Sequence, residues 1–203
     1  MKAFTICEGH AAALMQDNID TDQIIRIERI AQLARGEFAP WAFEVWRYLD
    51  DGAENPAFPL NAEPHRHARI LISGDNFGCG SSREMAVWAI EEFGIRCIIA
   101  PSYGDIFFNN CLQNGLLPIT LARGQVERLA LAATSGAVFK VDLRACTVAA
   151  GAGGAIRFEL PEAQRQSLLL GQDEIDQTLA LEPRIDAFQE RDRVARPWVY
   201  MKR

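Results

Sequence analysis

Residues 68–100 read ARILISGDNFGCGSSREMAVWAIEEFGIRCIIA. ARILISG (68–74) is a short apolar run rich in isoleucine, the pattern of a strand buried on both faces. A glycine-rich turn follows. From Ser82 to Phe93, apolar residues recur at 85, 86, 89, 90 and 93, a helical spacing, and Gly94 is placed to end the helix. IRCIIA (95–100) is a second buried strand. The pattern then repeats: GDIFFNNCLQN (104–114) reads as a helix closed by Gly115, and LLPIT (116–120) as a third strand. Strand–helix–strand–helix–strand implies parallel pairing through right-handed crossovers. The expected fold is α/β, with a parallel central βαβαβ unit.

Outward from this unit the reading is coarser. Residues 3–14 read as a short hairpin, FTICEG then AAALM, turning at Gly9. DNIDTDQII (17–25) is a polar loop running into two isoleucines, and 26–40 is expected to be a mobile loop. WAFEVWRYL (41–49) reads as a short helix with an aromatic-rich face. Residues 50–67, with Pro56, Pro59 and Pro64, form a long connection of the kind that is functional or mobile. A third helix is expected over 124–135. VFKVDL, CTVAA and AIRFEL, within 138–160, read as additional, antiparallel strands. From Pro161 the chain reads as helix, Gly171, helix. No internal repeat or low-complexity segment breaks the chain, so one domain over 1–203 is expected. Residues 182–203 form a C-terminal helix and tail that offers a partner contact.

Composition narrows the function. The chain has 203 residues, 49% hydrophobic and 24% charged, an ordinary balance for a folded domain. No apolar run reaches the ~18–20 residues of a membrane span, and the N-terminus lacks the apolar stretch of a signal peptide. Net charge is −6, which disfavours nucleic acid as a partner. The five cysteines, 7, 79, 97, 111 and 146, include no CxxC, so no metal site is expected in this chain. Free thiols and the missing leader point to the cytoplasm.

GDNFGCGSSRE (74–84) carries the chemistry. Ser81 is a natural helix N-cap, and Ser81-x-x-Glu84 spells a capping box, which accounts for both residues without any function. It leaves Arg83 unexplained, because a cation in the first helical turn opposes the helix dipole. Arg83 makes sense if a carboxylate or phosphate binds there, facing free N–H groups and the guanidinium together. The Walker lysine is missing, and G-x-G-x-x-G fails at its third position, which is Arg83. Two hydroxyls and an arginine at a helix end suit a small carboxylic acid. A serine there could act as nucleophile or, as a stabilised alkoxide, as base. No G-x-S-x-G elbow supports the nucleophile.

This block, followed by IRCIIAPSYGDIFFNNCLQNGLLPI and preceded by IDTDQII at 19–25, resembles the swivelling β/β/α domain of the aconitase superfamily. At this length and without cluster cysteines it is most similar to the small subunits of isopropylmalate dehydratases. The resemblance spans nearly the whole chain. It implies a hydro-lyase that dehydrates and rehydrates a small dicarboxylic hydroxy acid in leucine biosynthesis. It implies no cofactor in this chain and a [4Fe-4S] cluster on a large-subunit partner. Carried over residue by residue, Ser81 matches the base, and Asp22 matches an aspartate that orients groups near it. Ser82 and Arg83 match the carboxylate holders, and Gly80, Thr21 and Arg26 match the rest of the substrate pocket.

Two positions depart from the family pattern. Arg26 stands where IIP is usual, and Met85 where SREH is usual. A charge at 26 would favour a smaller or more polar diacid, so a hydro-lyase for dimethylmalate or maleate stays open. So does a non-catalytic carboxylate-binding module. His65 and His67, with no third ligand, read as a polar strand entry rather than a metal pair. Asp20 and Asp22 read equally as a capped turn. Tyr103, Asp105 and Asn109 read as packing and capping. Trp41, Phe43, Trp46 and Tyr48 are read as core or as a partner interface, and RPWVY (196–200) as a segment docking on a partner or back on the domain.

Overall fold

A computed structural model of the chain describes residues 1–200. They form two compact units, Met1–Gly171 and a second beginning at Gln172.

The first unit is built on one seven-stranded sheet in the order β4-β3-β2-β1-β5-β6-β7. Strand β1 (Ile6–Leu14) leads into two one-turn helices, α1 (Thr21–Ile24) and α2 (Ile27–Ile30), and then α3 (Glu44–Arg47). β2 (Ile70–Ser73), α4 (Glu84–Phe93), β3 (Cys97–Ala100), α5 (Asp105–Asn114), β4 (Leu117–Thr120) and α6 (Arg123–Thr134) follow. β5 (Val138–Asp142), β6 (Thr147–Ala150), β7 (Ile156–Arg157) and α7 (Glu162–Leu170) complete the unit. β1 to β4 run parallel, and β5 to β7 add antiparallel ribbons on the far side of β1. The expected α/β fold with its parallel core is therefore present, every crossover helix included.

The strands sort their side chains by period two. Ile70, Ile72, Cys97 and Ile99 join one core cluster, and Leu71, Ile98 and Ala100 join the other. Ala86, Val87, Ala89 and Ile90 of α4 and Phe107 and Cys111 of α5 cover the second face. Val126, Leu129, Ala130 and Ala133 of α6 cover the first, together with Phe139, Val141 and Val148. Each fully buried isoleucine contributes about 2 kcal/mol by leaving water.

Three local expectations are corrected. Residues 3–14 are not a hairpin. Ile6–His10 pairs antiparallel with β5 and Ala11–Leu14 pairs parallel with β2, so one strand serves both halves of the sheet. Gly9 lies inside it, and a Cβ there would press on the Arg69 stem at 3.3 Å; the glycine serves close approach, not a turn. The 41–49 helix is broken: a 3-10 turn (Ala39–Trp41) and α3 are separated by Phe43, a buried residue at φ +57°. Helix α4 starts at Glu84, not Ser82, with Arg83 at its N-cap and no side chain capping it. Ser81 forms no capping box; the Glu84 carboxylate instead accepts from Asn114 Nδ2 at 2.9 Å, tying α4 to α5.

The loop at 26–40 is fastened at its far end. Glu92 accepts from the Gly36 and Phe38 amides at 2.7 and 2.6 Å, and Arg35 reaches Asn114 Oδ1 and lies over Trp88. Phe43 belongs to the core, with Trp41 and Trp46 packed against it. His65 Nε2 meets the Ala133 carbonyl at 3.1 Å, and His67 pairs with Glu63. The Tyr103 hydroxyl sits between the Ile98 and Ile119 carbonyls, a packing role. The second unit holds α8 (Glu174–Leu179), capped by Asp173, and α9 (Glu182–Ala195). The 196–200 segment folds back on α9: Tyr200 donates to Asp192 and its ring takes Arg193. The last three positions of the 182–203 segment lie outside the described residues.

Candidate active site at the carboxyl ends of the parallel strands

Parallel strands that all point one way gather their following loops at one end of the sheet, where ligands of α/β folds bind. Here the loop after β1 (15–20) lies against the loop after β2 (74–83). Asp20 bridges Cys79 in a parallel contact, Gly78 N donates to Ile19 O at 2.7 Å, and Thr21 N donates to Cys79 O at 3.0 Å. This short non-sheet pairing brings 20–22 beside 80–83.

Asp20 is the cap of α1. Its carboxylate accepts from Gln23 N at 2.8 Å and the Gln23 side chain accepts from Asp20 N at 2.9 Å, a complete capping box. The capped-turn reading therefore holds for Asp20, which frees Asp22, two residues further, to point outward. Asp22 pairs with Arg83 Nη1. Replacing Asp20 by Ala is expected to cost about 1 kcal/mol, and to lower turnover by loosening Asp22. Thermal denaturation alongside rates checks this; unchanged turnover would dissociate the cap from the site.

Ser81 is held by its backbone. Its carbonyl accepts from Thr21 Oγ1 at 3.3 Å and from Arg83 N at 2.9 Å. Thr21 is buried, so its hydroxyl is committed to placing Ser81. Ser81 and Ser82 are exposed, and among the described residues neither hydroxyl is hydrogen-bonded. Arg83 uses Nη1 on Asp22, and its Nε and Nη2 have no partner among the described residues. Those free donors have the fork geometry that suits a carboxylate in two parallel bonds. The turn depends on glycine at two places. Gly78 has φ +71° and a Cβ there would fall 2.2 Å from the Phe107 ring; Gly80 has φ +91°, and a Cβ there would make only ordinary contact with Asp20 at 3.5 Å and Thr21 Oγ1 at 3.7 Å.

Asp22, Thr21, Gly80, Ser81, Ser82 and Arg83 are thus brought together. Arg26 is not. It pairs with Glu28 and Glu44 at 3.4 and 3.6 Å and lines a separate hollow of about 730 Å³ with Arg29, Trp41 and Tyr48.

One cluster escaped the sequence reading. Arg123, first residue of α6, pairs with both Asp17 and Asp75, and Asp75 N donates to Asp17 at 2.8 Å. It ties together the loops that carry Asp22 and Ser81. The signal was present, because Arg123 opposes a helix dipole just as Arg83 does. The Asp75 amide, then the Arg123 guanidinium, holds the Asp17 carboxyl below its ordinary 3.8. Its stabilisation is complete above about pH 4 and is lost as pH falls through the lowered value.

Among the described residues no three His, Cys, Asp or Glu side chains converge as metal ligands, and the five cysteines are free. The described residues therefore offer no ligand set that fits an iron–sulfur cluster. No helix among the described residues is long and apolar enough to cross a membrane.

Residues 1–124 match the aconitase C-terminal domain, which sets the class of the fold. The 3-isopropylmalate dehydratase small subunit of Rhodospirillum centenum is 48% identical over 98% of this chain and 98% of its own length. That of Cupriavidus necator is 48% identical over 98% and 99%, and that of Leptospira interrogans 46% over 98% and 99%. A crystal structure of 3-isopropylmalate dehydratase from Methanocaldococcus jannaschii superposes with a TM-score of 0.65 at 26% identity, over 91% of this chain and 99% of that one. The chain belongs to the family of 3-isopropylmalate dehydratase small subunits.

Proposed function

We propose that this chain supplies the base and a carboxylate clamp to a two-subunit hydro-lyase that interconverts 2- and 3-isopropylmalate in leucine biosynthesis. The carrying observation is that the chain matches such small subunits end to end while its Ser81-Ser82-Arg83 turn stands unspent at a helix start. A large cluster-bearing subunit is the partner, and its [4Fe-4S] cluster supplies Lewis-acid chemistry to the substrate hydroxyl. The complex works in the cytoplasm.

Dehydration takes a proton from the carbon next to a carboxylate and a hydroxyl from its neighbour. Arg83, through Nε and Nη2, and the Ser82 hydroxyl hold the carboxylate. Ser81 Oγ, as alkoxide, takes the proton and later returns it. The helix end and Arg83 favour that negative charge, and Asp22 fixes the guanidinium plane. Arg26 faces Glu28 and Glu44, the latter shared with Arg29, so its charge is partly answered away from this turn, which supports isopropylmalate over a more polar diacid.

The test is anaerobic reconstitution with the large subunit, following alkene absorbance. Turnover of 3-isopropylmalate at least ~10-fold faster than of dimethylmalate or maleate is expected. Preference for another diacid would reject the substrate. A chain that forms no complex would revive the binding-module reading.

A further inference from the structure

The opposite end of the sheet holds a second concentration of charge. Arg69 and Arg96 precede β2 and β3, and Arg96 N donates to Arg69 O at 2.8 Å, so the two lie side by side at the amino ends of neighbouring parallel strands. With Lys2, Arg66 and His67 they line a hollow of about 370 Å³, in which Glu91 is the one acid. This is an unusual concentration in a chain of net charge −6. Like charges set beside each other on adjacent strands are destabilising unless something answers them.

The internal answer is incomplete. Arg66 is taken by Glu54. Glu91 is shared: it lies 3.6 Å from Arg35 and 3.7 Å from Arg96 Nη1. Arg96 is only 7% exposed, yet its Nη1 has no hydrogen-bond partner. Its Nη2 reaches the Lys2 and Ala3 carbonyls at 3.4 Å, the long limit of a bond. A buried guanidinium is costly unless its charge is answered; Nη1 itself is shielded, so an oxyanion in the hollow offsets the charge of the group rather than bonding that nitrogen. The Lys2 and Arg69 side chains make no hydrogen bond or ion pair among the described residues, so both remain available to it.

We propose that this hollow binds a small oxyanion of charge two or more, such as a phosphate or a dicarboxylate, held by Arg96, Arg69 and Lys2 at the end of the sheet remote from Ser81. The site would serve as a stabilising or regulatory position distinct from the carboxylate clamp.

The test titrates inorganic phosphate, and succinate in parallel, into the full chain at constant ionic strength. Thermal midpoints and calorimetric heats are read. At ten times the dissociation constant, the midpoint is expected to rise by about 3–5 °C. Lys2→Gln with Arg69→Gln keeps both stems at exposed positions and is expected to weaken binding at least ~10-fold, whereas Arg83→Gln leaves it unchanged. Phosphate binding more tightly would assign a phosphoryl ligand, and succinate a dicarboxylate. No rise beyond chloride would overturn the proposal. So would a rise lost in Arg83→Gln but kept in the double variant, which would place the anion at the catalytic turn.

Discussion

Ser81→Ala is expected to lower kcat for 3-isopropylmalate about 10³-fold, the range a positioned general base contributes. KM should stay within about threefold, because Arg83 and Ser82 keep the carboxylate. The thermal midpoint should move by no more than about 1 °C, since Ser81 is exposed and its hydroxyl makes no hydrogen bond in the described chain. This pattern of lost rate with kept binding and stability separates a base from a structural residue. The measurement is steady-state alkene formation by the reconstituted complex, with calorimetry on the isolated chain. Activity within tenfold of wild type would move the proton-transfer role off Ser81.

Gly78→Ala is expected to be the most damaging single methyl in the unit. The residue holds φ +71°, which costs a side chain about 1–2 kcal/mol. Its Cβ would meet the Phe107 ring at 2.2 Å, and Phe107 is itself buried against Phe77, so the ring has little room to retreat. Overpacking adds about 1–3 kcal/mol. Together these predict a fall in midpoint of roughly 10 °C. Gly80→Ala is the control: it shares the unfavourable φ, but its nearest neighbour is 3.5 Å away, so only the conformational cost applies. If the two variants melt together, the contact with Phe107 is not what the glycine serves.

The parallel core was legible because a strand buried on both faces must be apolar throughout. Ile70–Ile72, Cys97–Ala100 and Leu117–Ile119 say so without help from partners. β1 was not, since its glycine looks the same whether it makes a turn or makes room for Arg69. The helix start was misplaced by two residues for a related reason. Ser81-x-x-Glu84 fits a capping box, and only the fold shows Glu84 claimed by Asn114, thirty positions on. Arg83 stood out in the sequence because local electrostatics alone made it anomalous at a helix start. Its pairing with Asp22 and the Asp17–Arg123–Asp75 cluster did not, as both join loops that only the sheet brings together. Arg26 was flagged as a departure, but nothing local reveals that Glu44 meets its charge.

The double pairing of β1 also bears on how the chain is made. Its Ile6–His10 half waits for Val138–Asp142, more than a hundred residues downstream. At about 10 residues per second a ribosome takes on the order of ten seconds to deliver that partner. Throughout that interval the nascent chain carries an open strand edge in the middle of what becomes a continuous sheet. The exposed faces flanking it are Ile6, Glu8 and Lys140-facing backbone rather than a long apolar run, with Cys7 the inward residue. A charged residue midway along an unfinished edge discourages a second nascent chain from pairing there first. Glu8 is thus a guard on the open edge until β5 arrives, and then the partner of Lys140 across the seam that joins the two halves of the sheet.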